Sequence, residues 1–504
     1  MTIQKVAIIG TGAMGQGIAQ IAAQAGLQVY LYDTQKVAIQ GALGQLDKIW
    51  ARQIERERMT AEQVEAAKKC LHTVNSLADL ADVDLVVEAI IEDLDIKRAL
   101  FSELEGIVRE DCILASNTSS LSITAIAAAC THQQRVAGYH FFNPVPLMRV
   151  VEVIDGLRTA PEVSEALTKL AQKMGHQAVR AKDMPGFVVN HVGRGMNTEG
   201  LRVAQEAVAD FSVVDAIMRE QAGFRMGPFE LLDLTGLDVS QPVMESIYHQ
   251  FYEEDRYRPS PIGAVRQAGQ LLGRKTGEGF YRYVDGKKQE PQAAAVPADQ
   301  PDLKVWVAPY HEVGYERALD CVRALGAEVI EADEAPADAL ILVTPFGEDV
   351  ATMVSEYELD PARTVALDTL FGLEKGRRRV LMTSILTEDK WRDAAHALFA
   401  RDGTAVSVID DSTGFVGQRM VAMIVNTAAD IAQQKIATPQ DINTAASLGL
   451  GYPEGGPLAY GDKLGAELIL EILLSIQVLT GDMRYRPSLW LQRRVQLGVA
   501  LDFD

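Results

Sequence analysis

Four polar residues early in the chain stand where a reacting oxygen could be handled. Ser119 lies in Ala115-Ser116-Asn117-Thr118-Ser119-Ser120-Leu121, and His140 in Gly138-Tyr139-His140-Phe141-Phe142-Asn143-Pro144. Glu152 interrupts the apolar run Val150-Val151-Glu152-Val153-Ile154, and Asn190 ends Pro185-Gly186-Phe187-Val188-Val189-Asn190. Histidine accepts and returns protons near neutral pH. A buried carboxylate can hold the imidazole and stabilise its charged form. Serine and asparagine can hydrogen-bond substrate oxygens. The set would suit removal of a hydroxyl proton while a hydride leaves carbon. Structural alternatives stand beside each: a packed histidine, a polar Asn-Thr-Ser-Ser turn, a carboxylate at a wet strand end, an asparagine capping or bridging helices. His140 and Glu152 are expected near a turn between consecutive strands, within contact.

A hydride needs an acceptor, and the N-terminus offers a place for one. Lys5 to Ile9 is a short apolar run suited to a buried parallel strand. It ends in Gly10-Thr11-Gly12-Ala13-Met14-Gly15, followed by a helix-like stretch from Met14 to Ala25 with Gly26 as its C-cap. A second strand, Gln28 to Tyr32, ends at Asp33. Gly10 allows the tight turn, Gly12 lets backbone approach a pyrophosphate, and Gly15 lets helix and strand pack closely. The pyrophosphate would rest on the helix N-terminus at Ala13 and Met14, where free N–H groups favour negative charge. Asp33 can accept from ribose hydroxyls and would repel a 2′-phosphate, which favours NAD over NADP. The neighbouring Lys36 weakens that preference slightly. The strand before, the helix after and the acid at the end of the next strand make the glycine motif specific.

Composition bounds the rest. The chain has 504 residues, 48 Lys and Arg against 69 Asp and Glu, and a net charge of −21. That balance argues against nucleic acid or an anionic membrane as the main partner. No apolar run is long enough to span a bilayer, and Lys5 to Ile9 runs straight into the first motif without a signal-peptide layout. Cys70, Cys112, Cys130 and Cys321 are scattered, without a C-x-x-C. They are expected to be reduced, mostly buried thiols in a cytoplasmic protein. No metal site is expected.

Strand-like runs at Leu85–Val87, Ile113–Ala115, Arg135–Ala137 and Val150–Ile154 alternate with helical stretches, and residues 34–70 form a long helical excursion. This predicts a doubly wound α/β Rossmann-like domain over 1–184. An all-α domain over 185–285 follows, then a linker over 286–301. Strand-like runs at Lys304–Val307, Ala339–Val343 and Thr364–Leu367 predict a reduced Rossmann-like domain over 302–411. Its first strand leads into Ala308-Pro309-Tyr310-His311, not a glycine loop.

The last segment, 412–504, is a repeat. Gly186-Phe187-Val188 returns as Gly414-Phe415-Val416, and Arg256-Tyr257-Arg258-Pro259-Ser260 as Arg484-Tyr485-Arg486-Pro487-Ser488. Both are offset by 228 residues (414 − 186 and 484 − 256). Gly227-Pro228 and Asp233 are echoed by Gly456-Pro457 and Asp462. The position of Asn190 becomes Gln418, with no glycine fingerprint and no Ser/His/Glu set, so no second active site is expected.

Residues 1–285 resemble the L-3-hydroxyacyl-CoA dehydrogenases of fatty-acid and aromatic-acid degradation. The matching segments include Gly10 to Gly17, Val87-Glu88-Ala89 with Lys97, Ser116 to Leu121, His140 to Pro144, Pro185 to Asn190, Met226-Gly227-Pro228 and Gly273-Arg274-Lys275-Thr276-Gly277. The resemblance implies His140 as general base with Glu152 as its partner. It implies Ser119 and Asn190 at the substrate's 3-oxygen, and Glu92, Lys97, Asn143 and Lys275 at the nicotinamide cofactor. The basic stretch with Arg52, Arg56, Arg58, Lys68 and Lys69 falls where such enzymes meet coenzyme A. Phosphate binding there competes with a merely solvated helix face. His191 departs from the arginine common at that position.

The C-terminal half is similar to longer bacterial members, many acting on 3-hydroxybutyryl-CoA or, in phenylacetate breakdown, on 3-hydroxyadipyl-CoA. Single-copy relatives dimerise through the helical domain. The second copy is therefore expected to pack on the first as an intramolecular pseudo-dimer, with homodimerisation left open. Two alternatives remain: a gulonate dehydrogenase-like sugar-acid oxidoreductase, and an NAD-binding scaffold without turnover. The basic excursion and the duplicated C-terminus favour acyl-CoA.

Overall fold

The computed structural model describes residues 2–292 and 294–504. Among them no helix is long and apolar enough to cross a membrane. Two compact units form. One takes the chain through His191 together with Gln434–Leu450, and the other takes Val192–Gln433 with Gly451–Phe503. These units cut across the repeat segment 412–504.

The first unit is built on β1 (Lys5–Ile9), β2 (Gln28–Tyr32), β3 (Leu71–Thr73), β4 (Leu85–Glu88), β5 (Ile113–Ser116), β6 (Val136–Phe141), β7 (Val150–Asp155) and β8 (Gln177–Lys182). The order is β3-β2-β1-β4-β5-β6-β7-β8. Every neighbouring pair is parallel except β6 and β7. The apolar runs at β1, β4 and β5 lie in the middle of this sheet, where helices cover both faces. The long excursion is a pair of helices, Lys36–Glu55 and Ala61–Lys69, the second opened by a Thr60/Gln63 capping box.

Helix Ala13–Gln24 packs its buried face on the sheet and ends where Gly26 takes φ +76°. Sequence reading stops β6 at Ala137, yet the strand runs on through His140 and Phe141. It also omits β3, which is only three residues long, and β8, whose Gln-Ala-Val-Arg-Ala-Lys pattern reads as polar because it is an edge strand.

The second unit carries a hairpin, β9 (Tyr283–Val284) with β10 (Lys287–Lys288), and a six-stranded sheet. The hairpin straddles the expected boundary, its second strand falling inside the segment expected as linker from 286. Asp285 and Gly286, at φ +50° and +74°, make the tight turn that Asp-Gly favours. The sheet contains β11 (Lys304–Val307), β12 (Glu328–Val329), β13 (Ala339–Val343), β14 (Thr364–Leu367), β15 (Arg379–Thr383) and β16 (Val406–Asp410). Its order is β12-β11-β13-β14-β15-β16, with only β14–β15 antiparallel. It therefore repeats the reversal of the first sheet with fewer strands.

The helical repeat is exchanged between the sheets. The Lys182 N–H at the end of β8 donates to the Ile436 carbonyl at 2.8 Å, just before helix Pro439–Leu450. The Asp410 N–H at the end of β16 donates to the Val208 carbonyl at 3.1 Å, just before helix Phe211–Glu220. Both pairs of positions are related by the repeat offset. Each sheet is thus finished by a helix from the other copy.

Within the second unit, helices Val189–Gln205 and Val416–Gln433 approach at backbone distance. A Cβ on Gly195 would lie 2.8 Å from Ile424 Cα. Arg256 donates to the Arg486 carbonyl at 2.8 Å and Arg484 to the Arg258 carbonyl at 2.6 Å, a reciprocal pair. Between them Arg419, 2% exposed, binds Glu199 at 2.9 Å, Tyr485 at 2.9 Å and Glu206 at 2.6 Å. Replacing Arg419 by Met removes the nearest cation from the buried Glu199 carboxylate, which keeps the Tyr485 hydroxyl at 2.8 Å and Arg484 at 3.6 Å. Loss of one partner of a buried ion pair costs about 3–5 kcal/mol. Urea unfolding of R419M should show a loss of that order, and a loss below about 1 kcal/mol would mean that this cluster does not hold the repeats.

Candidate active site

His140 is the penultimate residue of β6 and Glu152 the third of β7, and the two are direct register partners. Opposed residues of an antiparallel pair project on the same face. His140 Nδ1 lies 2.6 Å from Glu152 Oε2. Glu152 is fully buried, and its Oε1 accepts the Val188 N–H at 2.9 Å and the Val189 N–H at 2.8 Å. These amides open helix Val189–Gln205, so N–H groups with no intrahelical acceptor are satisfied by a negative charge. An ionised carboxylate only accepts. Nδ1 therefore carries the hydrogen, and Nε2 keeps a lone pair for a substrate proton. Phe142 and Phe187 flank the imidazole at ring-centroid distances of 4.4 and 5.9 Å. Asn190 follows Val189 directly, in the first turn of the same helix.

Ser119 sits on the loop after β5, and Glu92 organises that loop. Glu92 Oε1 accepts from the Thr118 hydroxyl at 2.6 Å, the Ser119 N–H at 3.0 Å, the Ser120 N–H at 3.1 Å and the Ser120 hydroxyl at 2.9 Å. Burial opposes its ionisation, but the Thr118 hydroxyl, the Lys97 ammonium and the serine donors outweigh it and hold the carboxyl below its usual range. Lys97, 1% exposed, binds Glu88 at 2.5 Å and Glu92 at 3.3 Å. Glu88 also accepts the Ser116 hydroxyl at 2.6 Å.

Two residues to which sequence reasoning gave no part therefore hold the site. Glu88 anchors Lys97 at the end of β4. Asn117 Oδ1 accepts the Phe141 N–H at 2.8 Å and ties the serine loop to the strand bearing His140. Their signals were visible: a charge ending an apolar strand, and an amide inside a hydroxyl-rich loop.

The glycine turn has the form a dinucleotide needs. Gly10 takes φ +93°, and a Cβ there would meet the Ala89 carbonyl oxygen at 2.5 Å. A Cβ on Gly15 would lie 1.8 Å from the Gly10 oxygen. Gly12, by contrast, has nothing within 4 Å of its Cβ position. Gly12 is the N-cap of the helix that begins at Ala13 and continues through Met14, so a pyrophosphate could approach the backbone closely at a helix start whose first N–H groups have no intrahelical acceptor. Asp33 closes the turn. Its Oδ2 accepts the Thr11 N–H at 2.8 Å and the Thr11 hydroxyl at 3.0 Å, and its Oδ1 accepts the Gln35 N–H at 2.9 Å. Burial works upward on its pKa, but these donors prevail and keep it ionised well into the acid range. Oδ1 retains capacity for a ribose hydroxyl. The residues present fit NAD.

Each of the remaining predicted residues has surroundings of its own. Asn143 is exposed on the loop after β6. Lys275 belongs to the other unit, where its ammonium pairs with Asp238. Arg52, in the last turn of helix Lys36–Glu55, and Arg56, its C-cap, are both exposed. Cys112 and Cys130 are pushed by burial to about 12 and about 11, which leaves them inert as nucleophiles.

The second sheet contains the counterpart of each position in the predicted catalytic set, and each is changed. The Asp368 N–H donates to the Val380 carbonyl, so Asp368 stands opposite Val380 where the first sheet pairs His140 with Glu152. Phe346, 1% exposed, lies three residues beyond β13, as Ser119 lies three beyond β5. Gln418, in the place of Asn190, reaches Asp368 at 3.0 Å, and Gln221 reaches it at 3.0 Å from the other side. Asp368, Gln418 and Gln221 are fully buried. This is a filled core.

Two consequences can be measured. Gly12→Ala has room to fold, so its Tm should stay within about 2 °C of wild type, while NADH affinity falls at least about tenfold. Unchanged NADH affinity, followed by fluorescence, would remove the pyrophosphate from this turn. Desolvation pushes Asp368 up to about 6, against 3.8 when exposed. The folded state therefore holds a proton that the unfolded state releases, and stability is lost as pH rises from about 4 through 6. Asp368→Asn should raise Tm by about 2–4 °C at pH 8, with the gain shrinking toward pH 4. Equal gains at pH 8 and pH 4 would contradict the buried charge.

Residues 5–184 match the family model for the 3-hydroxyacyl-CoA dehydrogenase NAD binding domain. The model for the 3-hydroxyacyl-CoA dehydrogenase C-terminal domain matches twice, over 186–283 and 414–500. The chain is 37% identical to the 3-hydroxyadipyl-CoA dehydrogenase of Escherichia coli (strain K12), covering 99% of this chain and 98% of that protein. Its first half is 43% identical to a probable 3-hydroxybutyryl-CoA dehydrogenase of Deinococcus radiodurans, over 55% of this chain and 100% of the relative. A crystal structure described as 3-hydroxybutyryl-CoA dehydrogenase from Escherichia coli K12 superposes with a TM-score of 0.86 at 36% identity, covering 99% of each chain. The chain belongs to the 3-hydroxyacyl-CoA dehydrogenase family.

Proposed function

We propose that the protein catalyses the reversible, NAD-dependent oxidation of L-3-hydroxyacyl-CoA to 3-ketoacyl-CoA. The observation that carries this reading is the buried His140–Glu152 pair, with Nδ1 held by the carboxylate at 2.6 Å. His140 Nε2 takes the hydroxyl proton while carbon 3 gives up a hydride. Glu152 stabilises the imidazolium that results. Ser119 and Asn190 hydrogen-bond the 3-oxygen. NAD, when bound, supplies the hydride acceptor. Gly10, Gly12, Ala13, Met14, Gly15 and Asp33 hold its pyrophosphate and ribose. Glu92 and Lys97 set the serine loop against it, and Asn143 and Lys275 are further cofactor contacts in this reading. Exposed Arg52 and Arg56 are suited to coenzyme A phosphates.

The substrate we propose is 3-hydroxybutyryl-CoA or 3-hydroxyadipyl-CoA, in fatty-acid or phenylacetate degradation. Similarity over essentially the whole chain to relatives carrying each name supports both. The division into segments 1–184, 185–285, 286–301, 302–411 and 412–504 is part of the proposal. So is a pseudo-dimer of helical repeats within one chain, which the reciprocal arginine contacts support. The four cysteines, all thiols, favour the cytoplasm.

His140→Gln should lower kcat by about 10²–10⁴-fold for acetoacetyl-CoA with NADH, the usual contribution of a general acid–base group. NADH binding should persist. Near wild-type turnover in H140Q would sink the mechanism. Turnover compared between acetoacetyl-CoA and 3-ketoadipyl-CoA ranks the two substrates, and failure with both would overturn the substrate class.

A further inference from the structure

The exchanged helix brings a residue of the second repeat to the elements that hold the catalytic pair. We infer that Gly449, near the end of helix Pro439–Leu450, is a positioning residue for Glu152 and His140. The inference rests on the dyad proposed above. A Cβ on Gly449 would lie 3.1 Å from both methyl carbons of Val189 and 3.6 Å from a methyl of Val150. The Val189 N–H is one of the two amides holding Glu152 Oε1, at 2.8 Å. Val150 begins β7, two residues before Glu152, and projects on the same face. A methyl at 449 therefore presses on Val189, one support of the carboxylate, and reaches Val150 at ordinary contact distance, so that any larger side chain bears on both. The Glu152 carboxylate is in turn 2.6 Å from the base.

The filled counterpart shows why glycine stands there. Gln221 occupies the position of Gly449, and Gly417 that of Val189. A Cβ on Gly417 would meet Gln221 Oε1 at 2.9 Å. The same helix-to-helix contact is thus made twice with the sizes reversed. In the second sheet the exchanged helix brings the large residue, and its amide runs past glycine to bind Asp368 at 3.0 Å. In the first sheet the exchanged helix brings the small residue, and valine fills the contact. The Gln221 side chain ends on Asp368, the position of the base. Glycine at 449 keeps the C-terminal copy from doing the same to His140. The C-terminal repeat is therefore part of the working site, although it carries none of the reacting groups.

The test is size compensation in the full-length chain. Gly449→Ala should lower kcat about tenfold, since small displacements of catalytic groups carry losses of this order. KM for acetoacetyl-CoA and the affinity for NADH should stay within about twofold. Adding Val189→Ala, which makes room for the methyl, should return kcat to within about twofold of V189A alone. In that same V189A background Gly449→Leu overfills the contact and should again cost at least about fivefold, a comparison that holds even if G449A alone does not fold. Wild-type kcat in G449A, or equal kcat for alanine and leucine at 449 in the V189A background, would overturn the inference. Failure of H140Q to lose turnover would instead overturn the dyad, so the two results are distinct.

Discussion

A carboxylate inside a hydrophobic sheet must be satisfied on its lone pairs, because a buried charge left unpaired costs several kcal/mol. Glu152 meets this demand with two amides from a helix start and one imidazole. Much of the first unit follows from that arrangement. The β6–β7 reversal places His140 opposite the carboxylate. The chain must then leave β8 so that Val188 and Val189 point their N–H groups at Glu152. Asn190, next in line, is carried to the site by that same helix start. One polar residue in an apolar strand thus orients the candidate base, sets its tautomer and receives the first amides of helix Val189–Gln205.

A second network does the same for the substrate loop. Glu88, Lys97 and Glu92 form a chain of buried and half-buried charges from the end of β4 to the Ser119 loop. Lys97 is buried only because both acids flank it. Glu92 and Lys97, expected from the resemblance to meet cofactor, therefore also shape the protein around it. The free space over Gly12 and the crowded glycines at 10 and 15 divide the turn into a ligand side and a packing side.

Of the two related sheets, the first carries the candidate site and the second a packed core. In the second sheet the strand reversal survives, but the dyad has become Asp368 opposite Val380, and glutamines from both repeats fill the space. The aromatic stack of Tyr310 on Tyr357, with ring centroids 3.6 Å apart, lies at the turn where the first sheet has its glycines. The helices exchanged between sheets then make the two copies interdependent, since each sheet needs a helix of the other copy to cover its edge strand.

The sequence by itself determined many of the local elements and pointed to the candidate reacting groups. β1, β2, β11, β13 and β14 were legible to the residue, because unbroken apolar runs between turn signals have few other solutions. The glycine spacing named the cofactor, and the repeat offset revealed the duplicated helical domain. Short or polar strands such as β3 and β8 were not legible, since their stability comes from neighbours and not from their own pattern. Nor was the crossing of repeat helices between sheets, or the part played by Glu88, Asn117 and Gly449. Those depend on which distant segment arrives opposite a residue, and that is decided by tertiary packing alone. His140 and Glu152 stood in the sequence as a plausible pair. Only strand register made them direct partners, because a slip of one residue would have sent one of the two side chains to the opposite face.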